Sequence, residues 1–503
     1  MTVLRLNKKI NIEAKPPDSR GDLSKRVARG GLWSFTLRIS SRLFVFVRMV
    51  ILARLLAPND FGLMGLALLM MTALEKFSET GFLPALVQKK ENISEYLDAA
   101  WTAQIIRSIL LFGILFGGAP LIALFFDAPR ATAILRVIAI AELFKGFTNI
   151  GVVYFRKELE FNKQFIYQFS GIITNLVVAI SAALIFKNVW ALVFGLLAGH
   201  FVQFTMSYVV QPYRPRIKID LRKIGELFIY GRWVLACGIV GFFAMQMDSV
   251  VLGKMLGITA LGFYQMAYRI SNLVGTEVAE VISIVVFPAF SKLQSNIPKL
   301  REGFLRSFEV TAAISIPLCV GLALLGFDFT YLFLGEKWIP IIQALRLLAI
   351  TAPFLVLTRI ISPLFGAVGR PKLTFLMYLS RFGVMGVFVF PLTKSFGVVG
   401  TALTVLLSVL LTIPIWWHKA AEIVEVSSYR LFKEIVPSIV AAFVMSIFIM
   451  VTKQAIKEPG IWRLLLSALT GVVGYFGALL LFWKRFHNGP IGSLLFVRRS
   501  LQS

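Results

Sequence analysis

Apolar segments of about twenty residues recur along nearly the whole chain after residue 27, and this pattern limits the fold more than any other feature. A bilayer core about 30 Å thick is crossed by an α-helix of roughly 20 apolar residues. With 57% hydrophobic and only 16% charged residues, the chain is too apolar for a soluble globular protein. The pattern therefore predicts an all-α polytopic membrane protein with little chain left for a soluble domain.

About fourteen transmembrane helices are predicted. They cover residues 28–56, 61–81, 97–126, 130–154, 163–186, 189–210, 226–253, 258–290, 306–332, 339–366, 372–393, 396–418, 431–452 and 461–483. Residues 1–27 are polar and basic and lack an apolar core, which favours a cytoplasmic tail over a cleavable signal peptide. An even number of spans then places both termini in the cytoplasm.

Lysine and arginine are concentrated in the connections that this topology places in the cytoplasm. The densest cluster comprises Arg214, Arg216, Lys218, Arg222 and Lys223. Outer connections are poorer in basic residues, as the positive-inside rule requires. A net charge of +26 is also typical of nucleic-acid-binding proteins, but charges in these loops favour contact with anionic lipid headgroups. Membrane lipids, and no nucleic acid, are therefore predicted as partners.

An internal repeat organises the predicted spans. Residues 52–62, LARLLAPNDFG, correspond to residues 252–262, LGKMLGITALG, so Gly62 matches Gly262. Further matches keep the same order: Gly31 and Trp33 with Gly231 and Trp233, residues 83–85 with 287–289, and residues 135–140 with 345–350. Six spans separate the copies, and an even number leaves both in one orientation, with an axis along the membrane normal.

The repeat predicts two parallel six-helix bundles plus two C-terminal helices, with a cavity between the bundles. The predicted units are a cytoplasmic basic tail (1–27), an N-terminal bundle (28–212), a C-terminal bundle (213–420), and the two extra helices with a cytoplasmic tail (421–503).

Arginines inside the predicted spans indicate the cargo. Ionisable residues at membrane depth usually face a bundle interior or a water-filled cavity, and basic residues outnumber acidic ones there. Arginine stays charged, and its planar guanidinium suits phosphate oxygens. The pattern thus predicts an anionic cargo such as a phosphate or pyrophosphate. The candidate substrate-binding residues are Arg38, Arg42, Arg48, Arg232, Arg269 and Arg359.

Acidic residues in the spans leave a second interpretation open. Glu75 is a candidate to neutralise Arg38 or Arg42, and Asp248, at the repeat position of Arg48, is a candidate to neutralise Arg232 or Arg269. Alternatively, Glu75, Asp248 and Glu142 couple transport to H⁺ or Na⁺. Arg54, matched by Lys254 and near the membrane edge, is predicted to be an interfacial anchor rather than a cargo ligand.

The sequence gives little support for an enzyme. It has no glycine-rich phosphate loop of the Walker type, no large outer loop for an active site, and only three scattered histidines, His200, His418 and His487. We therefore predict no catalytic residues, no cofactor and no metal site.

Several segments resemble the polysaccharide-export flippases of the MOP superfamily, near the Wzx-type and teichuronic or colanic acid exporter branch. They are VARGGLWSFTLRISSRL (27–43), LLAPNDFG (55–62), GFLPALVQKKE (81–91), FRKELEFNKQF (155–165), LGITALGFYQMAYRI (256–270) and VVFPAFSKLQ (285–294). The resemblance implies a flippase that moves an undecaprenyl-pyrophosphate-linked oligosaccharide across a bacterial inner membrane by alternating access. It also implies a cationic lumen, and glycosyltransferases and a polysaccharide polymerase as partners.

Two alternatives remain at the level of the sequence. A cation-coupled drug exporter of the same fold would have a more acidic and aromatic cavity. A membrane glycosyltransferase or ligase would carry a long outer loop with catalytic acids or histidines, which the sequence does not show.

Overall fold

The computed structural model describes residues 40–78, 94–158, 160–218 and 220–486, and this part of the chain contains α-helices and no strand. The helices are α1 (residues 40–55), α2 (Pro58–Phe77), α3 (Ser94–Phe125), α4 (Ala131–Phe147), α5 (Val153–Lys157), α6 (Phe161–Phe186), α7 (Trp190–Val210), α8 (Leu221–Leu293), α9 (Ile297–Phe329), α10 (Ile342–Ala367), α11 (Pro371–Ile423), α12 (Ser428–Ala455) and α13 (Ile461–Phe486). Three short helical turns join them, at Ile150–Val152, Thr330–Leu334 and Glu336–Ile341. The all-α prediction is confirmed.

Every predicted span overlaps a helix, and two helices run through two predicted spans each. α8 breaks at Gly257 (φ 81°) and α11 breaks at Gly397 (φ 60°), backbone conformations that glycine adopts without a steric penalty. Nine segments among the described residues are long and apolar enough to cross a membrane. The polytopic membrane protein is therefore confirmed, while the count of fourteen spans stays a prediction.

Prolines and polar side chains lie at the starts of several of these helices, and two prolines lie inside them. Pro58 opens α2, where its missing N–H costs no hydrogen bond. Asn296 and Ser427 precede α9 and α12, and each side chain accepts a hydrogen bond from a backbone N–H of the first turn. Pro317 and Pro353 lie inside α9 and α10 without ending them, as membrane helices tolerate.

The two halves of the chain meet along α2 and the second part of α8. Thr259 Oγ1 lies 3.3 Å from Asn59 Oδ1, and Gln265 Nε2 lies 3.5 Å from the Gly65 carbonyl oxygen; both pairs are 200 residues apart. Repeat-equivalent residues therefore contact each other across the interface. This is the arrangement expected where two parallel repeats cross at their symmetry axis.

A buried core joins the halves next to this crossing. Leu52, Leu56 and Phe61 pack in one cluster with Tyr264 and Trp338. Trp338 is fully buried, and its ring stands edge-on to that of Phe61 with centroids 5.2 Å apart. A second core lies wholly within α8 to α13. Buried side chains of both halves thus pack in one continuous core around Trp338.

The last two helices, α12 and α13, pack on each other and on α9. Asp328 is fully buried on α9. Its carboxylate accepts a hydrogen bond from Arg463 Nε at 2.6 Å and forms an ion pair with Lys453 Nζ at 2.9 Å. We call these three residues the Asp328 triad. Two cations around one buried carboxylate fix α12 and α13 to the second half of the chain.

An extended linker, residues 211–218, connects the halves and is bonded to the first one. Asp98 Oδ1 accepts hydrogen bonds from the Tyr213 hydroxyl at 2.5 Å and the Arg216 N–H at 2.9 Å. Thr102 Oγ1 accepts a further bond from the Lys218 N–H at 2.8 Å. Burial and the neighbouring Asp98 carboxylate raise the pKa of Tyr213 above its usual range.

Candidate functional site

Four of the predicted arginines line one cavity between the two halves. Arg42 and Arg48 come from α1, Arg269 from α8 and Arg359 from α10, around a space of about 310 Å³. We call this space the arginine chamber. Among the described residues, none of its lining side chains is an aspartate or glutamate. The chamber is therefore strongly cationic.

The arginines differ in how they are held. Arg48 donates to the side-chain oxygen of Asn175 on α6, which orients its guanidinium. Arg48 and Arg269 repel each other electrostatically. Within the described part of the chain, Arg269 and Arg359 have no hydrogen-bonded or ion-paired partner. The donors of Arg269 and Arg359 are therefore available for an anion.

A second cavity adjoins the first and shares Tyr268, Asn272 and Arg359 with it as lining residues. It has a volume of about 400 Å³ and lies among α8, α10 and α11. We call it the side chamber. Its described lining again includes no acidic side chain, and it contains a further arginine, Arg381.

Asp248 lies behind the wall of these chambers. It is 1% exposed, and its carboxylate accepts hydrogen bonds from the Tyr264 hydroxyl and, at 2.7 Å, from the Ser249 N–H. The Tyr264 ring packs against that of Tyr268, with centroids 6.1 Å apart. Tyr264 and Tyr268 therefore lie between Asp248 and the chambers. The hydrogen bonds of Asp248 are to Tyr264 and Ser249 rather than to Arg269.

Glu75 and Glu142 lie together in the first half, away from both chambers. Lys145 on α4 pairs with Glu75 of α2 and, at 3.1 Å, with Glu142. We call these three residues the Lys145 cluster. Arg107 adds a bond from Nη2 to the Glu75 carbonyl oxygen at 3.1 Å. The structure therefore pairs Glu75 with Lys145, whereas the sequence had suggested Arg38 or Arg42.

Two predicted ligands are outside what the structure describes. Arg38 precedes the described residues, and Arg232 lies on α8 where side chains are not described. Among the described residues, no group of three or more His, Cys, Asp or Glu side chains is placed to hold a metal ion.

Hydrogen bonds between the halves lie next to Leu52, which lines the arginine chamber. Arg54 Nε donates to the Phe333 carbonyl oxygen at 3.0 Å, and Lys337 Nζ donates to the carbonyl oxygens of Arg54 and Leu56 at 2.9 and 2.7 Å. We call this pair of basic residues the Arg54–Lys337 clamp. Trp338 Nε1 donates to the Ala53 carbonyl oxygen at 3.0 Å beside it.

The sequence did not single out the side chamber or the clamp. Arg381 carried the same signal as the chosen arginines, namely a cation deep in an apolar span. Thr358, Trp416 and Lys337 carried no such signal, because threonine and tryptophan are ordinary residues of membrane helices and Lys337 is one of several basic residues between spans.

Comparison with known proteins places the chain in a family. The model of the polysaccharide biosynthesis protein family matches residues 51–343. The lipopolysaccharide biosynthesis protein WzxC of Escherichia coli K12 is 24% identical over 380 residues, which cover 74% of each chain. The teichuronic acid biosynthesis protein TuaB of Bacillus subtilis is 23% identical over 371 residues, covering 70% of this chain and 74% of TuaB.

Solved structures show the same fold. The lipid II flippase MurJ in an inward closed conformation superposes with a TM-score of 0.74 at 15% identity, covering 91% of this chain and all of MurJ. An inward-facing multidrug resistance MATE transporter of the MOP superfamily gives 0.60 at 17% identity, covering 76% of this chain and 96% of the transporter. With the fold of these transporters and a family match over more than half its length, the chain belongs to the polysaccharide biosynthesis protein family.

Proposed function

We propose that this protein is a flippase that moves an undecaprenyl-pyrophosphate-linked oligosaccharide across the bacterial inner membrane for polysaccharide export. The observation that carries the proposal is the arginine chamber, where Arg42, Arg48, Arg269 and Arg359 surround one space between the halves. Phosphate oxygens accept paired hydrogen bonds from guanidinium groups. A pyrophosphate brings several such oxygens together with negative charge.

The comparisons support the same cargo class. WzxC and TuaB are named for lipopolysaccharide and teichuronic acid biosynthesis, and the succinoglycan biosynthesis transport protein ExoT of Rhizobium meliloti is 24% identical over 359 residues. MurJ, with which the fold is shared, is described as a lipid II flippase. A drug exporter of this fold would need acids in the cavity to attract a cationic drug, and the described lining supplies arginines.

The way the halves meet supports transport by alternating access. The Arg54–Lys337 clamp consists only of hydrogen bonds between the halves, so it separates if they rock apart. In the proposed topology both termini are cytoplasmic and the clamp faces the opposite side. The cargo enters from the cytoplasm while the clamp is closed and leaves when it opens.

The remaining assignments belong to the same proposal. Arg38 and Arg232 join the four chamber arginines as cargo ligands, and Glu75, Glu142 and Asp248 balance charge or couple transport to H⁺ or Na⁺. The proposed domain boundaries give a tail (1–27), two six-helix bundles (28–212 and 213–420) and the two C-terminal helices with their tail (421–503). Glycosyltransferases and a polymerase supply and consume the cargo, and the chain itself performs no catalysis.

Deletion of the gene in its own bacterium tests the proposal. We expect lipid-linked repeat units to accumulate on the cytoplasmic face, and the wild-type chain to clear them. Arg48→Gln and Arg269→Gln should fail to do so at equal protein levels. Arg136→Gln is the matched control, because Arg136 is an exposed intramembrane arginine stacked on Phe116 outside both chambers. Absence of accumulation in the deletion strain would refute the proposal.

A further inference from the structure

The side chamber lies beside the proposed phosphate site but has a different chemical character. Besides Arg359 and Arg381, it is lined by the hydroxyl-bearing residues Thr358, Ser362 and Thr412 and by the aromatic ring of Trp416. Its volume of about 400 Å³ is within the roughly 300–1,000 Å³ of small-molecule sites. Apolar side chains, among them Met245, Leu355 and Val409, complete the lining. The cavity thus combines polar groups with apolar surface, and its arginines repel a cationic drug.

Two of the hydroxyl groups that line this chamber, those of Thr358 and Thr412, are committed as donors to their own helices. Thr358 Oγ1 donates to the Leu355 carbonyl oxygen at 2.7 Å, and Thr412 Oγ1 donates to that of Ser408 at 2.6 Å. A hydroxyl has one donor and two acceptor lone pairs. Toward the chamber, Thr358 and Thr412 are therefore acceptors only.

The arginines of the side chamber offer hydrogen-bond donors. Arg381 is 8% exposed, and its Nε has no hydrogen-bond partner among the described residues. Arginine donates and never accepts. A ligand that satisfies Thr358 and Thr412 as well as Arg381 must carry both donors and acceptors around one compact body, and a sugar ring with its hydroxyl groups does so.

The ring of Trp416 also suits a sugar. Its indole Nε1 donates to Ser380 Oγ at 2.9 Å, and its ring packs against Phe365 with centroids 6.2 Å apart. Trp416 is 6% exposed, and these two contacts fix the orientation of its ring before any ligand binds. A rigid aromatic ring offers an apolar surface for the C–H face of a sugar, at little cost in conformational entropy.

We propose that the side chamber binds the sugar residue next to the pyrophosphate and so discriminates among lipid-linked glycans. This inference rests on the proposed function, because the shared wall of Tyr268, Asn272 and Arg359 joins a sugar site to the phosphate site. A pyrophosphate in the arginine chamber places the sugar bonded to it at this wall. Thr358, Thr412 and Trp416 line only the side chamber, so they recognise the glycan without contacting the phosphates.

The test is a binding titration of the purified full chain, read by native mass spectrometry. The probes are undecaprenyl pyrophosphate without sugar and its glucose-, galactose- and N-acetylglucosamine-linked forms. For the wild type, we expect at least one sugar-linked probe to bind more tightly than the sugar-free lipid. Thr358→Val and Trp416→Ala should each reduce that gain by about threefold to tenfold, the effect of one lost hydrogen bond or contact, and leave binding of the sugar-free lipid unchanged.

Matched controls exist for both variants. Thr351 lies on the same helix as Thr358, donates to the Leu347 carbonyl oxygen at 2.8 Å and is fully buried outside the chamber. Trp417 packs on Phe308, with centroids 5.2 Å apart, instead of lining the chamber. Thr351→Val and Trp417→Phe should keep the gain, and so should Trp416→Phe in part, because it retains a ring.

The outcomes separate the two proposals. Equal binding of all four lipids by the wild type, or loss of sugar-free binding in Thr358→Val, would overturn the sugar site and leave the flippase standing. If instead Arg48→Gln binds the sugar-free lipid as tightly as the wild type does, the phosphate site of the proposed function fails.

Discussion

Arg54 and Lys337 each bind the backbone at the end of a helical segment in the other half of the chain. Lys337 Nζ donates to the carbonyl oxygen of Arg54, at the end of α1, while Arg54 donates to the carbonyl oxygens of Leu332 and Phe333, at the end of the turn that follows α9. The last carbonyls of a helix lack intrahelical donors and carry partial negative charge. Each half of the protein therefore supplies the cation that completes a helix terminus of the other half.

Replacing Lys337 with methionine should loosen this end of the arginine chamber. Lys337 makes two hydrogen bonds to backbone carbonyl oxygens, one of them part-buried. Each such bond contributes about 0.5–1.5 kcal/mol, so we expect the open state to gain about fivefold or more. The measurement is labelling of a cysteine at position 52, in a background without Cys237 and Cys319, by a membrane-impermeant maleimide added to whole cells. Leu52 is 1% exposed and lines the chamber.

Lys254→Met is the control for the clamp. Lys254 also bridges the halves, at 2.7 Å from Asp127, but the pair is exposed, with Asp127 74% accessible. Exposed pairs contribute about 0–1 kcal/mol, so labelling should change little. Equal labelling of position 52 in Lys337→Met and wild type would show that the clamp does not hold this end closed.

Gly62 and Gly262 should tolerate no side chain. A Cβ on Gly62 would lie 1.9 Å from the Ile258 carbonyl oxygen, and one on Gly262 would lie 2.1 Å from that of Pro58. Because backbone is on both sides, relief requires the halves to move apart. We expect Gly62→Val or Gly262→Val to lower stability by about 1–3 kcal/mol or more, measured as the thermal midpoint in detergent, whereas Gly113→Val, with open space around it, should not.

The duplication was predictable from the sequence, but this contact was not. Matching residues 52–62 with 252–262 shows that Gly62 and Gly262 occupy equivalent places in two copies. Equivalence carries no distance, since two copies can pack by any pair of surfaces. In the structure the symmetry axis runs between these helices, so equivalent residues touch. Small residues then serve the close helix approach that lipid-embedded packing favours.

Removing the carboxylate of Asp328 should release the C-terminal helices. Asp328→Asn leaves Arg463 and Lys453 without their common counter-ion, and breaking a buried ion pair costs about 3–5 kcal/mol. We expect a lower thermal midpoint and faster proteolysis between α12 and α13. Glu302→Gln breaks only the exposed pair of Glu302 with Arg306, so it should cost about 1 kcal/mol or less. Equal effects of the two variants would contradict the role given to the triad.

The sequence identified the cationic cavity better than it identified the role of each charge. Arg136 and Arg359 both lie deep in apolar spans, yet Arg359 lines both chambers and Arg136 stacks on Phe116 at an exposed face. A helix that is apolar all round gives no amphipathic signal for its inward face. Arg54 was predicted to be an interfacial anchor from its place near the membrane edge and its match with Lys254. Its bonds to Leu332 and Phe333 depend on which helix end of the other half lies opposite.

The Lys145 cluster should affect the driving force for transport without affecting cargo binding. Glu75, Glu142 and Lys145 lie on α2 and α4 and line neither chamber. Two carboxylates sharing one lysine at membrane depth are the kind of group that proton- and cation-coupled transporters use. We therefore expect Glu142→Gln to bind undecaprenyl pyrophosphate like the wild type but to lose the response of its flipping rate to an imposed proton or sodium gradient.

The measurement is flipping of lipid-linked repeat units, extracted from the deletion strain, in proteoliposomes with and without each gradient. Glu302→Gln is the control, because it removes an exposed carboxylate from α9 and should leave the gradient response intact. If Glu142→Gln keeps its response but has a lower thermal midpoint, the cluster only balances charge, since Lys145 has then lost one of its two partners. If it weakens binding of the lipid as Arg48→Gln does, the cluster acts on the cargo site and the separation of the two sites is wrong.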